Sequence, residues 1–471
     1  MPHPDLHTDR RLKTPLYRQL YQRVRDAIAA GRLQPGDRVP SVRSLASELN
    51  LSRGTVELAY QVLVSEGYLL ARGAAGTVVS PQLLRQQITL AVERRSSAPR
   101  PVSESARAAP PPLQLGLPAL DAVPTRLWRR LTMRRLRGLN AAALDYPDAQ
   151  GSPALRNALA AYLGVSRGIA CHADQIIITA GYRDALGLIC RTLLRPGDRG
   201  WFEEPGYFLA RDMLRAAGLS LAPVAVDADG LDVAAGRRQA EEARFAVVTP
   251  SHQSPSGVSL ALPRRLALLE WANDNDAWII EDDYDSEYRY QGRPIPALKS
   301  LDHGGRVLYT GTFSKVLFPG LRLAYLVVPS SKTTRFRDVL RRFGQGCPAL
   351  PQAVTADFIN EGHFARHLKR MRDMYAQRRT YLRDALEAKL GDRLRVDLQA
   401  GGMHLLTRFV NNEDDVEQAR RAQRRGLGVS ALSTWFIGRP DQSGLLLGFT
   451  NIASAEEAER LVSELKSALG A

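Results

Sequence analysis

Cysteine is scarce in this 471-residue sequence, and long apolar runs are missing from it. Cys171, Cys190 and Cys347 lie far apart and without the spacing of metal ligands. This pattern argues against a disulfide framework and favours a reducing compartment, and no metal site is expected. No apolar stretch approaches the length of a membrane span, and the first residues lack the pattern of a secretory signal, so we expect a cytoplasmic protein.

Basic residues, by contrast, are abundant. The chain has 64 Lys and Arg against 49 Asp and Glu, which gives a formal net charge of +15. The excess is spread along the chain, so it permits nucleic-acid binding without locating it. The hydrophobic content of 44% is ordinary for a globular protein, and the length predicts two or three domains.

Helical periodicity dominates the first eighty residues. Apolar residues recur at helical spacing from Pro15 to Ala30, and Ser41 and Ser52 each stand before a further short helix as an N-cap. Two short capped helices separated by a tight turn predict a helix-turn-helix. The second helix would read DNA with its exposed first turn, Arg53-Gly54-Thr55.

Two short apolar segments follow these helices, at Tyr68–Leu70 and Thr77–Val79, with a glycine-rich turn between them. They predict a hairpin wing from which Arg72 would reach a minor groove. The segments RVPSVRSLA, LSRGTVELAYQVL and EGYL…GTVV resemble the signature of GntR-type winged-helix domains, over about residues 10–80. The resemblance implies a double-stranded DNA operator as partner, with contacts from Ser41, Arg43, Arg53, Thr55 and Arg38.

Residues 81–112 differ in composition from the segments on either side. Proline and small polar residues concentrate at 96–101 and 110–112, and such segments cannot hold a helix or a central strand. We expect a semi-extended linker, with a helix continuing for a turn or two between Gln82 and Arg94. The alternative is a proline motif that binds a partner.

Strand-like apolar runs alternate with helical segments over residues 113–471, with a small subdomain from about residue 329. This alternation predicts an α/β domain built on a parallel sheet. The expected strands are Ile176–Thr179, Arg199–Phe202, Phe245–Thr249, Ala277–Ile280 and Val307–Tyr309.

A lone lysine, Lys315, follows the last of these strands in the stretch YTGTFSKVLFPGLRLAY. A lysine delivered by a rigid turn can form a Schiff base with an aldehyde. Thr312, Ser314 and Arg322 suit a phosphate, because they donate hydrogen bonds to its oxygens. An aldehyde and a phosphate on one small molecule indicate pyridoxal 5′-phosphate (PLP). The alternative is a βα turn with an exposed lysine.

Acidic residues end the strand that begins at Ala277. Asp282 would lie at the crevice where α/β sheets bind ligands, pair with the pyridine nitrogen of PLP and keep it protonated. The alternative is that these acids are solvated residues of a loop, an interpretation that suits Asp285 and Glu287 better than Asp282.

The Tyr182-Arg183 turn begins a helix whose N-terminus could bind an anion. Tyr207 would either stack on a pyridine ring or anchor a turn.

The stretch 113–471 resembles an aminotransferase domain of PLP-dependent fold type I, including the segment YPDAQG that begins at Tyr146. The resemblance implies that Lys315 is the Schiff-base lysine, Asp282 the pyridinium partner and Tyr284 the donor to the ring hydroxyl. It also implies a homodimer with active sites at the subunit interface. The implied ring-stacking residue is Tyr207, and the phosphate cup comprises Arg322, Thr312, Ser314 and the Tyr182-Arg183 turn.

The chain departs from a plain aminotransferase at two places. Ser254 stands where that family has the asparagine of N-P-T-G, so one contact to the ring hydroxyl is missing or comes from His252 or Gln253. The spacing from Asp282 to Tyr284 is one residue shorter than D-x-x-Y. Both features are typical of the MocR/GabR family, whose S-H-Q-x-P-x-G and E-D-D-Y-D-S-E motifs are matched by SHQSPSG and EDDYDSEYRY.

A GntR winged helix joined by a linker to an aminotransferase-like domain is that family's architecture. The resemblance implies a transcriptional regulator that uses PLP to sense a small effector. We expect no net turnover, although the domain could carry out partial PLP chemistry. Two alternatives remain: a working PLP-dependent aminotransferase with an accessory DNA-binding domain, and a DNA-binding protein with a cofactor-free domain.

Aminotransferases hold the substrate α-carboxylate with an arginine near the C-terminus, and Leu446 takes its place here. A leucine donates no hydrogen bond to a carboxylate, and Arg439 or Arg183 would have to substitute from another direction. We therefore hypothesise an effector other than an ordinary α-amino acid, such as PLP or a vitamer.

The C-terminal part begins with a basic helical stretch, His363 to Lys389. Its charges predict a solvated face, with an auxiliary DNA contact as the alternative. His404 is expected to be a strand residue and not a ligand.

Overall fold

The computed structural model describes residues 8, 9, 12, 14–83, 109–344 and 346–470. The chain divides after residue 108 into two compact units. Of the predicted linker, only residues 81–83 and 109–112 are described, so the helix expected between Gln82 and Arg94 lies almost wholly outside the described residues. Within the described ranges, no helix combines the length and the apolar character needed to cross a membrane.

The first unit contains the three helices that the sequence predicts, α1 (Leu16–Ala29), α2 (Val42–Glu48) and α3 (Arg53–Ser65). The Ser41 hydroxyl accepts the Ser44 backbone N–H at 3.1 Å, and the Ser52 hydroxyl accepts the Thr55 N–H at 3.2 Å. Both predicted N-caps are therefore confirmed. Each cap satisfies a backbone donor that the helix cannot, which stabilises it by about 1 kcal/mol.

A two-stranded antiparallel hairpin follows, with β1 (Leu69–Ala71) paired to β2 (Thr77–Val79). The hairpin packs on the helices through Leu69 and Val79, which lie opposite each other and are buried. The Tyr60 hydroxyl of α3 donates to the Pro40 carbonyl at 3.0 Å and ties α3 to the segment before α2. The unit is a winged helix-turn-helix, as the sequence predicts.

An eight-stranded sheet organises the second unit, with the strand order β3-β10-β9-β8-β7-β4-β5-β6. Its five central strands, from β9 to β5, are parallel. The strands are β3 (Ile176–Thr179), β4 (Arg199–Glu204), β5 (Ser220–Asp227), β6 (Gly230–Leu231), β7 (Phe245–Val248), β8 (Trp278–Asp283), β9 (Val307–Thr312) and β10 (Ala324–Val327).

The expectation of a parallel sheet is wrong at both margins. β10 runs antiparallel to β9 and to β3, and β6 runs antiparallel to β5. Only residues 313–323 connect β9 to β10, which is too short for the crossover that a parallel pair needs. Sequence alternation alone did not reveal this reversal.

Helices cover both faces of the sheet. Neighbouring residues such as Trp201 and Phe202 point to opposite faces, and both are fully buried, in different apolar clusters. The helices of this part are α4 (Thr125–Arg137), α5 (Pro153–Arg167), α6 (Tyr182–Leu193), α7 (Phe208–Ala216), α8 (Val233–Gln239), α9 (Leu262–Asp274), α10 (Phe313–Val316), α11 (Thr333–Phe343) and α12 (Ala349–Asn360).

A smaller antiparallel sheet, with the order β11-β12-β14-β13, forms the C-terminal part of the unit. Helices α13 and α15 pack against each other and contribute apolar residues to the same core as this sheet. The elements are α13 (His363–Leu390), β11 (Leu394–Asp397), β12 (His404–Phe409), α14 (Asp415–Arg424), β13 (Ser430–Ala431), β14 (Gly444–Gly448) and α15 (Ala455–Leu469).

The prediction of a solvated basic face on α13 holds only in part, because two of its arginines are buried. Arg378 forms an ion pair with Asp121 at 2.5 Å, and the Arg379 guanidinium lies 4.6 Å from the ring centre of Tyr290. These arginines tie the helix to other segments of the same unit and are not displayed to solvent.

Candidate functional site

The predicted lysine and carboxylate are brought together by two adjacent strands. β8 pairs with β9 so that Asp282 lies opposite Thr310. β9 continues to Thr312, three residues beyond its predicted end, and Lys315 lies on the one-turn helix α10 and not on a turn. The Thr312 hydroxyl accepts the Ser314 N–H at 3.1 Å and caps this helix. Lys315 is thereby fixed at the carboxyl edge of the parallel strands.

Lys315 is held in the interior of this crevice. Its Nζ donates a 2.7 Å hydrogen bond to the Gly116 carbonyl. Burial lowers the lysine pKa, and the negative charges of Asp285 and Asp282 oppose that shift. A lowered pKa favours the neutral amine, which is the nucleophilic form. Gly116 was missed by sequence reasoning, and the glycine itself, in the segment QLGLP, was the only available signal.

Asp282 is a buried carboxylate, 7% exposed, that forms no ion pair among the described residues. Burial raises its pKa to about 8, helped by the charge of Asp283 and opposed by Tyr182 and Lys315. Asp283 is different, because it pairs with Arg167 at 2.7 Å and accepts the Tyr309 hydroxyl at 2.6 Å. Asp282 is thus the carboxylate left for a cationic ligand group, which fits the pyridinium nitrogen of PLP.

Aromatic rings line the crevice beside Asp282. The buried Tyr182 hydroxyl has no hydrogen-bond partner of good geometry among the described residues. Burial raises the Tyr182 pKa, and the nearby charge of Asp282 raises it further. The ring centres of Tyr182 and Tyr207 are 6.3 Å apart, and that of Trp435 lies 5.8 Å from Tyr207. Burial raises the pKa of Tyr207 to about 12. These residues form an aromatic wall suited to a flat ring.

The loop that carries Ser254 supplies a histidine to the site. His252 Nδ1 lies 2.9 Å from the Tyr284 hydroxyl and 3.1 Å from Asp285. Gln253 turns elsewhere, because its amide donates to the Pro205 carbonyl at 2.8 Å and to Glu203 at 3.1 Å. Of the two substitutes considered for the missing asparagine, His252 is the one that joins Tyr284.

Arg322, a predicted member of the phosphate cup, lies against the start of α6. It adopts a left-handed backbone conformation, with φ of +53°, and its guanidinium has no hydrogen bond or ion pair among the described residues. A Cβ at Gly181 would come within 3.1 Å of the Arg322 Nη2 atom, so the guanidinium lies against the start of α6. A free guanidinium at a helix N-terminus fits a phosphate group.

Arg183 and Arg439 are the two arginines predicted to substitute for the carboxylate anchor missing at Leu446. The exposed Arg183 lines a separate cavity with Leu209 and Met213, and Arg439 lines another. Leu446 is fully buried among apolar side chains, opposite Leu406 in the strand register. The small sheet therefore offers no cation at the position of Leu446.

His404 is a strand residue, as predicted, and it lies at the margin of the site. It belongs to β12, and its ring centre is 5.9 Å from that of His252. Burial lowers the His404 pKa to about 4, so it is neutral near pH 7. Within the described residues, no group of three or more potential ligands is placed to hold a metal ion.

The predicted DNA contacts lie in the first unit. Ser41, Arg43 and Arg53 are exposed on the first turns of α2 and α3 or just before them. The Thr55 and Ser52 hydroxyls are 2.7 Å apart, which leaves Thr55 partly engaged in the cap.

Two further arginines belong to the wing. Arg38 donates to the Ala75 carbonyl at 2.8 Å, so its side chain supports the turn of the hairpin. Arg72 is exposed at the end of β1.

Comparisons with known proteins agree with this organisation. Residues 16–79 match the family described as "Bacterial regulatory proteins, gntR family". Residues 120–434 match the family described as "Aminotransferase class I and II". The second match alone covers more than half of the chain, so the large unit is an aminotransferase-type domain of fold type I.

Similar proteins share both domains. A Rhizobium meliloti protein described as "Probable rhizopine catabolism regulatory protein MocR" is 39% identical, over 94% of this chain and 92% of its own. The "HTH-type pyridoxine biosynthesis transcriptional regulator PdxR" of Corynebacterium glutamicum is 35% identical, over 92% of this chain and 91% of its own.

Among solved structures, the kynurenine aminotransferase of Pyrococcus horikoshii is 27% identical, with a TM-score of 0.69 over 83% of this chain and 95% of its own. This match covers less of the chain than the matches to the two regulators do, and those extend over almost the whole chain. The chain therefore belongs to the MocR-type transcriptional regulators, in which a GntR DNA-binding domain is joined to an aminotransferase class I and II domain.

Proposed function

We propose that this regulator holds PLP covalently on the Lys315 amine and that occupancy of this site controls DNA binding by the winged helix. One observation carries the proposal: Lys315 and Asp282 are buried in one crevice, and Arg322 lies at the end proposed for the phosphate. Among the described residues, Asp282 forms no ion pair and the Arg322 guanidinium has no partner. A buried carboxylate without a cation is costly to keep ionised, so this arrangement is expected to serve a ligand.

Each residue has a distinct proposed role. Lys315, with its lowered pKa, would hold PLP through its amine, and Asp282 would keep a proton on the pyridine nitrogen. Tyr284 binds the ring hydroxyl while His252 fixes its orientation. Tyr207 packs against the ring, and PLP when bound supplies an electron sink. The phosphate is bound by Arg322, Thr312, Ser314 and the backbone N–H groups at the Tyr182-Arg183 turn.

Operator DNA is the proposed partner of the first unit. The exposed first turn of α3, with Arg53 and Thr55, enters the major groove. Ser41 and Arg43 bind the phosphate backbone, and Arg72, with the wing turn that Arg38 supports, approaches the minor groove. The resulting protein acts in the cytoplasm.

A homodimer is the proposed assembly. The segment 133–146 of the large unit exposes apolar side chains, with Leu144 75% and Tyr146 96% exposed. Exposed large apolar side chains close together in the chain support an interface here, and a second copy of the chain is the proposed cover. A dimer would read two half-sites whose spacing its geometry fixes.

PLP or a vitamer is the proposed effector. The apolar surroundings of Leu446 provide no partner for an α-carboxylate, and a carboxylate placed there would lose a charge-assisted pair. The similar PdxR protein is described as a regulator of pyridoxine biosynthesis, which agrees with this effector class.

Catalysis is the second candidate function, since the similar Pyrococcus horikoshii protein is an aminotransferase and the lysine–aspartate pair is intact. Steady conversion of amino donors and 2-oxo acids by the purified protein would favour it. A protein that purifies without cofactor and takes up no added PLP would contradict both candidates.

The deciding experiment replaces Lys315 with Ala. We expect this change to abolish the borohydride-reducible PLP adduct and the response of DNA binding to PLP. Lys369→Ala removes an exposed lysine of α13 and serves as the control that keeps both. An adduct that survives in Lys315→Ala would refute the assignment. Titration with the twenty amino acids, γ-aminobutyrate and taurine should leave the visible absorption of the adduct unchanged.

A further inference from the structure

A second cavity, of about 500 Å³, lies in the large unit between its two sheets. One wall comes from the carboxyl ends of β4 and β5 and from the loop after β7, and the other from β12 and the segment before β14. The volume falls in the range of small-molecule sites. Apolar side chains line much of it, among them Pro205, Val258, Leu406, Leu432 and Phe436.

The outer rim of the cavity is held by a carboxylate of the large sheet. Glu204 accepts the backbone N–H of Ile437 at 2.8 Å and that of Gly438 at 2.7 Å. The negative charge of Glu204 is thus satisfied by backbone dipoles, and the segment that contains Arg439 is anchored beside β4.

Two more charged groups of the lining already have partners. Asp227 forms an ion pair with Arg264 at 2.6 Å, and Arg408 forms one with Asp397 at 2.5 Å. Neither pair leaves a net charge for a ligand to neutralise.

Arg439 and Asp441 are the exceptions. Both line the cavity and are exposed to solvent, and neither forms a hydrogen bond or an ion pair with any residue that the structure describes. Arg439 and Asp441 are two positions apart and lie beside an apolar surface. A ligand that carries both charges and an apolar side chain is complementary to this arrangement. A ligand with one charge would form only one of the two charge-assisted pairs.

We propose that this cavity binds a small zwitterion of the apolar α-amino acid class, without covalent chemistry. Arg439 binds the carboxylate, Asp441 binds the ammonium group, and the side chain packs on Leu406, Leu432 and Phe436. Because the ammonium group is engaged by Asp441, it is not available to react at Lys315.

The cavity is connected to the cofactor crevice by one loop. Gln253 donates to the Pro205 carbonyl at 2.8 Å and accepts the Ser256 hydroxyl at 2.6 Å, and both of these residues line the cavity. Gln253 follows His252, whose ring contacts Tyr284. A ligand in the cavity therefore contacts residues that Gln253 holds, and it joins the two sheets across the cleft.

Calorimetric titration of the full-length protein tests the site, with L-leucine and L-phenylalanine as probes. We expect both to bind. 4-Methylpentanoate lacks the ammonium group and 3-methylbutylamine lacks the carboxylate, so each should bind at least tenfold more weakly than leucine. Binding should persist in Lys315→Ala without cofactor, which separates this site from the lysine.

Substitutions at the two free charges complete the test. Arg439→Gln and Asp441→Asn should each weaken leucine binding at least tenfold. Arg129→Gln, which removes an exposed arginine of α4, should leave it unchanged. The proposal is overturned if neither amino acid binds at millimolar concentration, if Arg439→Gln binds as tightly as the parent, if the one-charge analogues bind equally well, or if binding requires Lys315.

Discussion

The side-chain amine of Lys315 donates a 2.7 Å hydrogen bond to the backbone carbonyl of Gly116, a residue 199 positions earlier in the chain. Gly116 has a left-handed backbone, with φ of +72°, and a Cβ there would lie 2.5 Å from the Lys315 Nζ atom. The segment before α4 therefore positions the amine on which cofactor binding is proposed to depend.

Gly116→Ala should weaken PLP binding about tenfold. The new methyl group displaces the lysine amine, and a left-handed alanine costs roughly 1 to 2 kcal/mol. The measurement is the apparent Kd for PLP from visible absorption. Gly426→Ala is the matched control, since Gly426 also has a positive φ but a methyl group added there would meet no atom within 4 Å. Equal PLP affinity in Gly116→Ala and the parent would contradict the positioning role.

Asp282→Asn should stabilise the cofactor-free protein while weakening PLP binding. Burial raises the Asp282 pKa from 3.8 to about 8, so the folded state binds this proton more tightly than the unfolded state does. The free energy of unfolding of the parent protein therefore falls as the pH rises from about 4 to about 8. That of the variant does not fall for this reason, because an asparagine does not ionise. Its advantage should grow by at most roughly 1.4 kcal/mol per pH unit in that window.

Urea unfolding at pH 5.5 and pH 8.5 measures this difference, and visible absorption measures PLP binding. The amide that Asp282→Asn introduces carries no negative charge, so the pyridinium loses its partner. An advantage that does not increase with pH would show that Asp282 is not protonated in the cofactor-free protein.

Arg53→Ala should weaken operator binding without changing the visible absorption of bound PLP. Arg53 is exposed at the first position of α3, where loss of its charge would remove the proposed DNA contact and leave the Ser52 cap intact. If it binds a phosphate, the slope of log affinity against log salt should fall by about 1. Arg23→Ala removes an exposed charge from α1 and is the control. Simultaneous loss of DNA and PLP binding would indicate misfolding instead.

Leu144→Asp should shift the protein from dimer to monomer. Leu144 is 75% exposed in the segment 133–146, and a carboxylate buried at the proposed interface is strongly unfavourable. Val165→Asp is the control, because Val165 is 93% exposed on α5 and outside that segment. Sedimentation velocity separates the two states. A dimer that survives in Leu144→Asp would place the interface on another surface.

Local sequence patterns were sufficient for much of the fold. The caps at Ser41 and Ser52 follow from side-chain chemistry within three residues, and α1 follows from helical periodicity. Strand positions were also correct, but their ends were less accurate, since β9 extends to Thr312 and β8 extends to Asp283. Pairing with neighbouring strands lengthened both, and that pairing is not a local property.

The chemistry of the candidate site was partly readable in the same way. A lone lysine after a buried strand and an acid after another predicted a cofactor that needs both, and the structure places Lys315 and Asp282 in one crevice. Only the resemblance to aminotransferases assigned the role of pyridinium partner to Asp282 and not to Asp283. Their difference arises because Arg167, from α5, reaches Asp283.

By itself, the sequence determined the helices of the first unit, five strands of the large sheet, the caps and the identity of the reactive groups, because these depend on neighbours a few residues apart. Only the tertiary structure decided that β10 is antiparallel, that the Gly116 carbonyl receives Lys315 and that His252 joins Tyr284. It also placed Arg439 in a separate cavity from the lysine. Such contacts join distant segments, and they form only where the packing of both sheets and their helices brings the backbones together.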